Sequence, residues 1–146
     1  MKVSDAMTFG TATVRSDAPL TTAIRIMIDH AVSALPVIDD DGHVQGIISE
    51  SDFFRSGHKA INFPALLSLT LKERLNSLMA GSVSDIMTSD SMTIDGDWPV
   101  QDVVAMMIDC NLRHVPVVDC GRSIGVISRV DVLRLLVDGP DKYSVK

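Results

Sequence analysis

The sequence contains itself twice. Val3-Ser4-Asp5-Ala6-Met7-Thr8 returns as Val83-Ser84-Asp85-Ile86-Met87-Thr88, an offset of 80 residues. The offset holds at Pro19 and Pro99, at Met27-Ile28-Asp29 and Met107-Ile108-Asp109, and at Pro36-Val37 and Pro116-Val117. It falls to 79 at Gly46 and Gly125, so one residue is missing from a turn of the second copy. Chance similarity does not keep register through so many Pro, Gly and Asp positions. Self-similarity at a fixed period decides architecture before any local propensity does. Each copy spans roughly 50 to 55 residues, a size that buries too little apolar surface to be comfortably stable alone. The two copies are therefore expected to pack face to face about an approximate two-fold axis, with a groove between them.

Within each copy the pattern reads β-α-β-β-α, an α/β chain (α+β by some schemes). Thr11 to Val14 and Met92 to Ile94 are short strand-like pieces. Leu20, Ala23, Ile24, Met27 and Ile28 then recur at i, i+3, i+4, i+7 and i+8, and Val100, Val103, Val104, Met107 and Ile108 repeat that spacing. This is one apolar face of an α-helix. Pro19 and Pro99 stand near the helix start, where a missing N–H costs little, and Asp17 and Asp97 are the expected N-caps. A hairpin follows. In the first copy it is Leu35 to Ile38, an Asp40-Asp41-Gly42 turn, then Val44 to Ile48; in the second it is Val115 to Val118, a turn at Cys120-Gly121, then Ser123 to Ile127. Each copy closes with a helix beginning after Ser49 or Ser128. The second is expected to stop at Gly139-Pro140, leaving loose polar residues.

The expected division is repeat one over 1–60, a helical insertion over 61–82 and repeat two over 83–146, one module in total. In the insertion, Pro64 is expected to open a helix that ends near Ala80-Gly81. Its Leu67, Leu71, Leu75 and Leu78 share one face. That face either lies on its own module or forms a dimer or partner surface.

Composition narrows the classes. The chain is 46% hydrophobic but only 4% aromatic, so its core must be aliphatic. A net charge of −6, with no run of Lys or Arg, argues against nucleic acid as a main partner and against a polybasic membrane patch. The two cysteines, Cys110 and Cys120, form no CxxC and read as reduced thiols. Met1 to Thr8 carries no apolar signal core, and no apolar run is long enough to span a bilayer. A soluble, cytoplasmic protein without membrane insertion is expected. His30, His43, His58 and His114 fall in no metal-ligand spacing, and no phosphate-binding Gly-Lys-Ser/Thr loop or Ser-His-Asp signature is present. Hydrolysis of phosphate esters calls for a metal cluster or a placed base, so an enzyme such as a nucleotide hydrolase is poorly supported.

The chemistry concentrates in Gly46-Ile47-Ile48-Ser49-Glu50-Ser51-Asp52 and its copy Gly125-Val126-Ile127-Ser128-Arg129-Val130-Asp131. An apolar strand runs into a serine that can cap a helix, and the aspartate lies in that helix's first turn. Unpaired N–H groups and the positive end of the helix dipole favour anions there. A carboxylate beside them can accept hydrogen bonds from a ribose diol, as in dinucleotide folds. Ser-x-x-Asp is also a capping-box pattern, which taken alone accounts for either copy equally well.

Together the doubled Val-Ser-Asp-x-Met-Thr opening, the Pro-Val strand after the first helix and the doubled Gly-h-h-Ser-x-x-Asp resemble a tandem pair of cystathionine-β-synthase (CBS) domains, also called a Bateman module. The resemblance covers nearly the whole chain. It implies a regulatory module without catalytic activity, no metal, and an adenosine-containing ligand of the AMP, ADP or ATP class, or S-adenosylmethionine or NAD, bound between the repeats. It also implies a homodimer. Because the chain is expected to carry no attached enzyme, channel or transporter, the effector would be a separate protein. By the family's motif, Asp52 and Asp131 would contact ribose hydroxyls, and Ser49 and Ser128 ribose or phosphate. Ala34, Leu35 and Pro36 would line adenine in one copy, and His114, Val115 and Pro116 in the other. Thr8 and Thr88 would also face the ligand. The copies differ where phosphate would lie. Arg129 follows Ser128 and Arg113 precedes the strand, whereas Glu50 follows Ser49. Arginine suits phosphate, and a carboxylate repels it by about 1 kcal/mol or more at partly exposed range. Phosphorylated adenosine is therefore expected at the Arg129/Asp131 site, and weaker binding or none at Glu50/Asp52. An interaction scaffold whose sites have lost their ligand remains the competing reading.

Overall fold

Both hairpins form where the turn chemistry places them, and everything else is arranged around them. The structure, a computed structural model, describes residues 1–55 and 62–139. Pro140, the polar residues after it and His58 lie outside the described residues. In chain order the elements are α1 (Val3–Ala6), β1 (Thr8–Phe9), β2 (Val14–Arg15), α2 (Leu20–His30), β3 (Ala34–Ile38), β4 (Val44–Ser49) and α3 (Glu50–Phe54). Then come α4 (Phe63–Leu67), α5 (Leu71–Ala80), a 3-10 turn (Val83–Asp85), β5 (Thr88–Ser89), β6 (Ile94–Asp95), α6 (Val100–Asp109), β7 (His114–Asp119), β8 (Arg122–Ser128) and α7 (Arg129–Asp138). The β7–β8 turn has Cys120 at φ 51° and Gly121 at φ 80°. Two consecutive positive φ values make the two-residue turn whose twist matches the strands it joins.

The described strands form two four-stranded sheets, ordered β1-β8-β7-β6 and β2-β3-β4-β5. In each, a short strand runs parallel to the first hairpin strand: β6 beside β7, β2 beside β3. A two-residue strand then pairs antiparallel with the second hairpin strand. That strand comes from the other repeat. Thr8 and Phe9 of repeat one pair with Val126 and Gly125, and Thr88 and Ser89 of repeat two pair with Ile47 and Gly46. The chain accordingly falls into two compact units. One comprises Met1–Thr11, Gly42–Val44 and the chain from Met92 onward; the other comprises Ala12–Asp41 and Gln45–Ser91.

Each unit has its own aliphatic core. In the first, Val3, Ala6 and Met7 are buried with Val103, Val115 and Ile127. In the second, Val83 and Ile86 are buried with Leu20, Leu35, Val37 and Ile48. The doubled opening motif is thus a core plug as well as a strand. Its aspartate turns the chain: Lys2 N–H donates to Asp5 at 2.8 Å and Ser82 N–H to Asp85 at 2.9 Å.

Several local expectations are corrected. The strands sit at Val14–Arg15 and Ile94–Asp95 instead of starting at Thr11 and Met92. Helices α2 and α6 are capped by Pro19 and Pro99 in extended conformation, without a side-chain cap bond. Asp17 instead pairs with Arg15, at 3.1 Å from Nε, which holds the carboxyl below its ordinary value, and Asp97 lies 3.7 Å from Lys2. Ile28 and Ile108 end their helices in solvent, 62% and 72% exposed. The insertion helix is two helices, because Thr70 starts a new one. Its hydroxyl accepts Glu73 N–H at 3.2 Å while Glu73 accepts the Thr70 N–H and O–H. These bonds hold the Glu73 carboxyl below its usual range. Of the four leucines, Leu78 packs on the second core, whereas Leu67, Leu71 and Leu75 are exposed.

Candidate functional site

Among the described residues, Asp5, Asp52, Asp85 and Asp131 each accept the backbone N–H of the residue three positions upstream. The bond is therefore not what distinguishes a site from a cap; burial is. Asp52 is 1% exposed and Asp131 6%, and they are the buried polar residues among those described. A buried carboxylate costs free energy unless its lone pairs are met. An exposed Asp at the same position would cap equally well, so burial needs a reason beyond capping.

Asp131 belongs to the first unit. Its Oδ2 accepts Ser128 N–H at 2.8 Å and Ser128 O–H at 3.0 Å, and Ser128 Oγ in turn accepts Asp131 N–H at 3.3 Å. Its Oδ1 accepts Thr8 O–H at 3.3 Å and Arg134 Nη1 at 3.2 Å. The exchange of opening segments is what brings Thr8 here, since Thr8 pairs with Val126 two residues before Ser128. His114 lies opposite Ser128 and Pro116 opposite Val126 on the neighbouring strand, with Val115 and Pro116 buried. Thr8, His114, Val115, Pro116, Ser128 and Asp131 are thus brought together on one sheet end.

Asp52 repeats this arrangement in the second unit. Its Oδ2 accepts Ser49 N–H at 2.8 Å and Ser49 O–H at 3.3 Å, and Oδ1 accepts Arg55. Ala34, Leu35 and Pro36 are buried on the adjoining strand, and Thr88 pairs with Ile47. Asp131 is thus met by a threonine from the opening of the other repeat, and Thr88 holds the matching strand position in the second unit.

Close approach of β1 to β8 and of β5 to β4 requires glycine. A Cβ on Gly125 would lie 2.1 Å from the Thr8 carbonyl oxygen, and one on Gly46 2.3 Å from that of Thr88. The glycine that opens each Gly-h-h-Ser-x-x-Asp motif is therefore the seat of the crossing threonine strand.

Arg129 is placed differently from its expected partner. Its Nε donates to Leu112 O at 2.8 Å, and Nη2 to Met107 O and Asn111 Oδ1 at 3.3 Å each. Its own N–H donates to Arg113 O at 3.1 Å. The guanidinium thus closes the C-terminal end of α6, where carbonyls lack helical partners and positive charge is favoured. Glu50, the corresponding residue of repeat one, has no donor to do so. Arg129→Ala is expected to destabilise the chain by about 1 kcal/mol, read by chemical denaturation, with Arg129→Lys recovering part. Arg113 is exposed.

Sequence reasoning missed Arg55 and Arg134. Each stands three residues after its aspartate, and they are 79 residues apart, the offset of the glycines. A helical i, i+3 pair of opposite charge was the available signal.

Comparison with known proteins bears on the family and the fold. The CBS domain family model matches residues 3–59 and 83–138. A CBS domain-containing protein of Dictyostelium discoideum is 32% identical over 136 residues, covering 92% of this chain and 90% of that protein. The CBS domain pair of protein MJ0100, solved with 5′-methylthioadenosine and S-adenosyl-L-methionine, superposes with a TM-score of 0.73 at 28% identity, covering 93% of this chain and 95% of that one. CBSX2 of Arabidopsis thaliana, solved in complex with AMP, gives a TM-score of 0.72 at 25% identity over 93% and 96% of the two chains. No helix among the described residues is long and apolar enough to cross a membrane. With its motif doubled, its family model matched twice and its two sheets built alike, this chain belongs to the CBS domain family, as a tandem pair.

Proposed function

We propose that the chain is a regulatory module that binds an adenosyl ligand at its strand-to-helix junctions and signals occupancy to a separate protein, without catalysing a reaction. The observation that carries this reading is the pair of buried aspartates, each in the first turn of a helix and bonded to the serine before it, with Thr8 also bonded to Asp131. A carboxylate so placed is suited to the vicinal hydroxyls of ribose. AMP and the S-adenosylmethionine pair, found with CBSX2 and with MJ0100, share an adenosyl group, which supports the ligand class. Adenine would lie against Ala34–Pro36 or His114–Pro116.

The Asp131 site is the one we assign to phosphorylated adenosine. Arg129 bonds neutral acceptors, so its positive charge is not cancelled, and Arg113 adds a second. Glu50 contributes a negative charge at the other junction. The Asp52 site would then be weaker or suit a ligand of little negative charge. A homodimer, a cytoplasmic location and an unidentified effector belong to the same proposal.

The test is calorimetric titration of the intact chain with AMP, then ATP and S-adenosylmethionine. Asp131→Ala and Asp131→Asn are expected to weaken AMP at least about tenfold, since hydrogen bonds to a charged group contribute about 1.5–3 kcal/mol. Asp52→Ala is expected to leave AMP affinity nearly unchanged. The opposite pattern would reverse the site assignment. No heat with any adenosyl ligand would favour the scaffold reading, for which the exposed Leu67, Leu71 and Leu75 are the surface to test.

A further inference from the structure

Each unit contains a packed pair of long helices, α2 with α5 and α6 with α7. Their inner sides are buried, with Leu20 and Ala23 in one unit and Val103, Met107 and Leu135 in the other. Their outer sides are apolar as well. Leu71, Leu75 and Met79 are exposed along one side of α5, and Leu133 and Leu136 on α7. Ile28 of α2 and Ile108 of α6 hold the same position in the two repeats, and both are exposed. Single exposed apolar residues are ordinary, but a patch of them marks a surface that something covers. The two patches differ in the charge around them. Arg25 stands three residues before Ile28 and Lys72 three before Leu75, each on the same side of its helix as that apolar residue. Neither cation has a carboxylate partner among the described residues. Asp29 offsets part of this charge, and Glu73 is held by the cap at Thr70. On the other pair the signs reverse. Asp102 and Asp109 are exposed and uncommitted, whereas Arg129 is turned to the end of α6 and Arg134 is bonded to Asp131. Ala105 stands where Arg25 stands in the first repeat.

We propose that a second copy of this chain covers both patches in unlike pairing, the α2/α5 pair of one copy lying on the α6/α7 pair of the other. The inference rests on the homodimer of the functional reading, gives it an arrangement, and is independent of any ligand. Like pairing would bring Arg25 and Lys72 of both copies together in one contact, and Asp102 and Asp109 of both copies together in the other. Unlike pairing sets the cations against the aspartates. Complementary charge is what fixes register at an interface and excludes wrong pairings. A two-fold axis that makes one unlike contact makes the second as well. Shape agrees with charge. Arg25, Ile24, Leu75 and Leu78 line a groove of about 400 Å³ beside α2 and α5. It has room for aliphatic side chains such as Leu133 and Leu136 of the second copy, with Arg25 at its wall.

The experiment is sedimentation equilibrium of the intact chain at low and at high ionic strength. The chains compared are wild type, Arg25→Glu with Lys72→Glu, Asp102→Lys with Asp109→Lys, and all four changes together, each first checked for a cooperative thermal transition. Either double variant is expected to weaken self-association at least about tenfold at low salt, because like charges then meet in both contacts. The loss is expected to shrink at high salt, where exposed charges are screened. The fourfold variant exchanges the charges between the patches and is expected to recover most of the wild-type association. If a double variant does not fold, Arg25→Glu alone and Asp109→Lys alone take its place. Unchanged dimer affinity in both double variants overturns the unlike pairing and leaves the homodimer standing, since like pairing only exchanges one repulsion for another. A fourfold variant no tighter than the double variants also overturns it. Folded wild type that stays monomeric overturns the pairing and the homodimer together.

Discussion

Deleting residues 1–9 should unfold the sheet built from the second repeat's strands and leave the first repeat's hairpin standing. The removed residues belong to repeat one by sequence, but they plug the other core. Val3 is fully buried, and Ala6 and Met7 are 5% exposed. Burying one Val or Met side chain is worth about 1.5–3 kcal/mol, so Val3 and Met7 together account for about 3–6 kcal/mol. That is a large part of a stability of about 5–15 kcal/mol. The deletion also removes the Met1 carbonyl that accepts Val100 N–H at 2.9 Å, at the start of α6, and the β1 pairing with β8. Hydrogen exchange measured by mass spectrometry separates the outcomes. Protection should be lost in α6, β7 and β8 and kept in β3 and β4. Loss in β3 and β4 instead would show that the opening segment supports its own repeat.

Gly125→Ala is expected to cost about 3 kcal/mol, at the upper end of what overpacking does. The added methyl would sit 2.1 Å from the Thr8 carbonyl oxygen and 2.6 Å from Met7 Cε. Methionine can swing aside, but the carbonyl belongs to a paired strand and cannot. β1 must then lift, and Thr8 leaves Asp131 with it. Stability and ligand affinity should therefore fall together in this variant. Gly96→Ala is the control: its methyl would meet nothing nearer than 3.5 Å, an ordinary contact, so its denaturation midpoint should barely move. Equal behaviour of the two variants would mean that the crossing strand is not held where the structure puts it.

How much of this the sequence announces depends on the range of the forces involved. The hairpins and long helices rest on local signals, Asp-Gly and Cys-Gly turns and a 3.6-residue apolar period, and they stand where those signals put them. The strands β1 and β5 carry no signal of their own. Two residues cannot alternate, and they are strands only because a partner lies beside them. Asp17 and Asp97 looked like caps because the residue type is right, but proline two positions later fixes the extended entry and leaves the carboxylates to nearby cations. The split between α4 and α5 was legible in Thr70-x-x-Glu73, a complete capping box inside a leucine pattern. Asp52, Asp131, Ser49 and Ser128 stand out by repetition alone. The reach of Arg129 to α6 was not readable, because its acceptors are backbone carbonyls, which every residue carries.

The exchange of opening segments also sets an order of assembly on the ribosome. The second unit is complete once Ser91 has emerged, since β5 closes its sheet. Thr8 and Asp131, by contrast, are 123 residues apart. The opening segment must therefore wait, unpaired and with its valine and methionine uncovered, until β8 and the start of α7 have been made. A nascent chain stalled before β8 would carry one finished unit and an apolar tail. Such tails are what chaperones bind and what neighbouring copies capture by strand exchange.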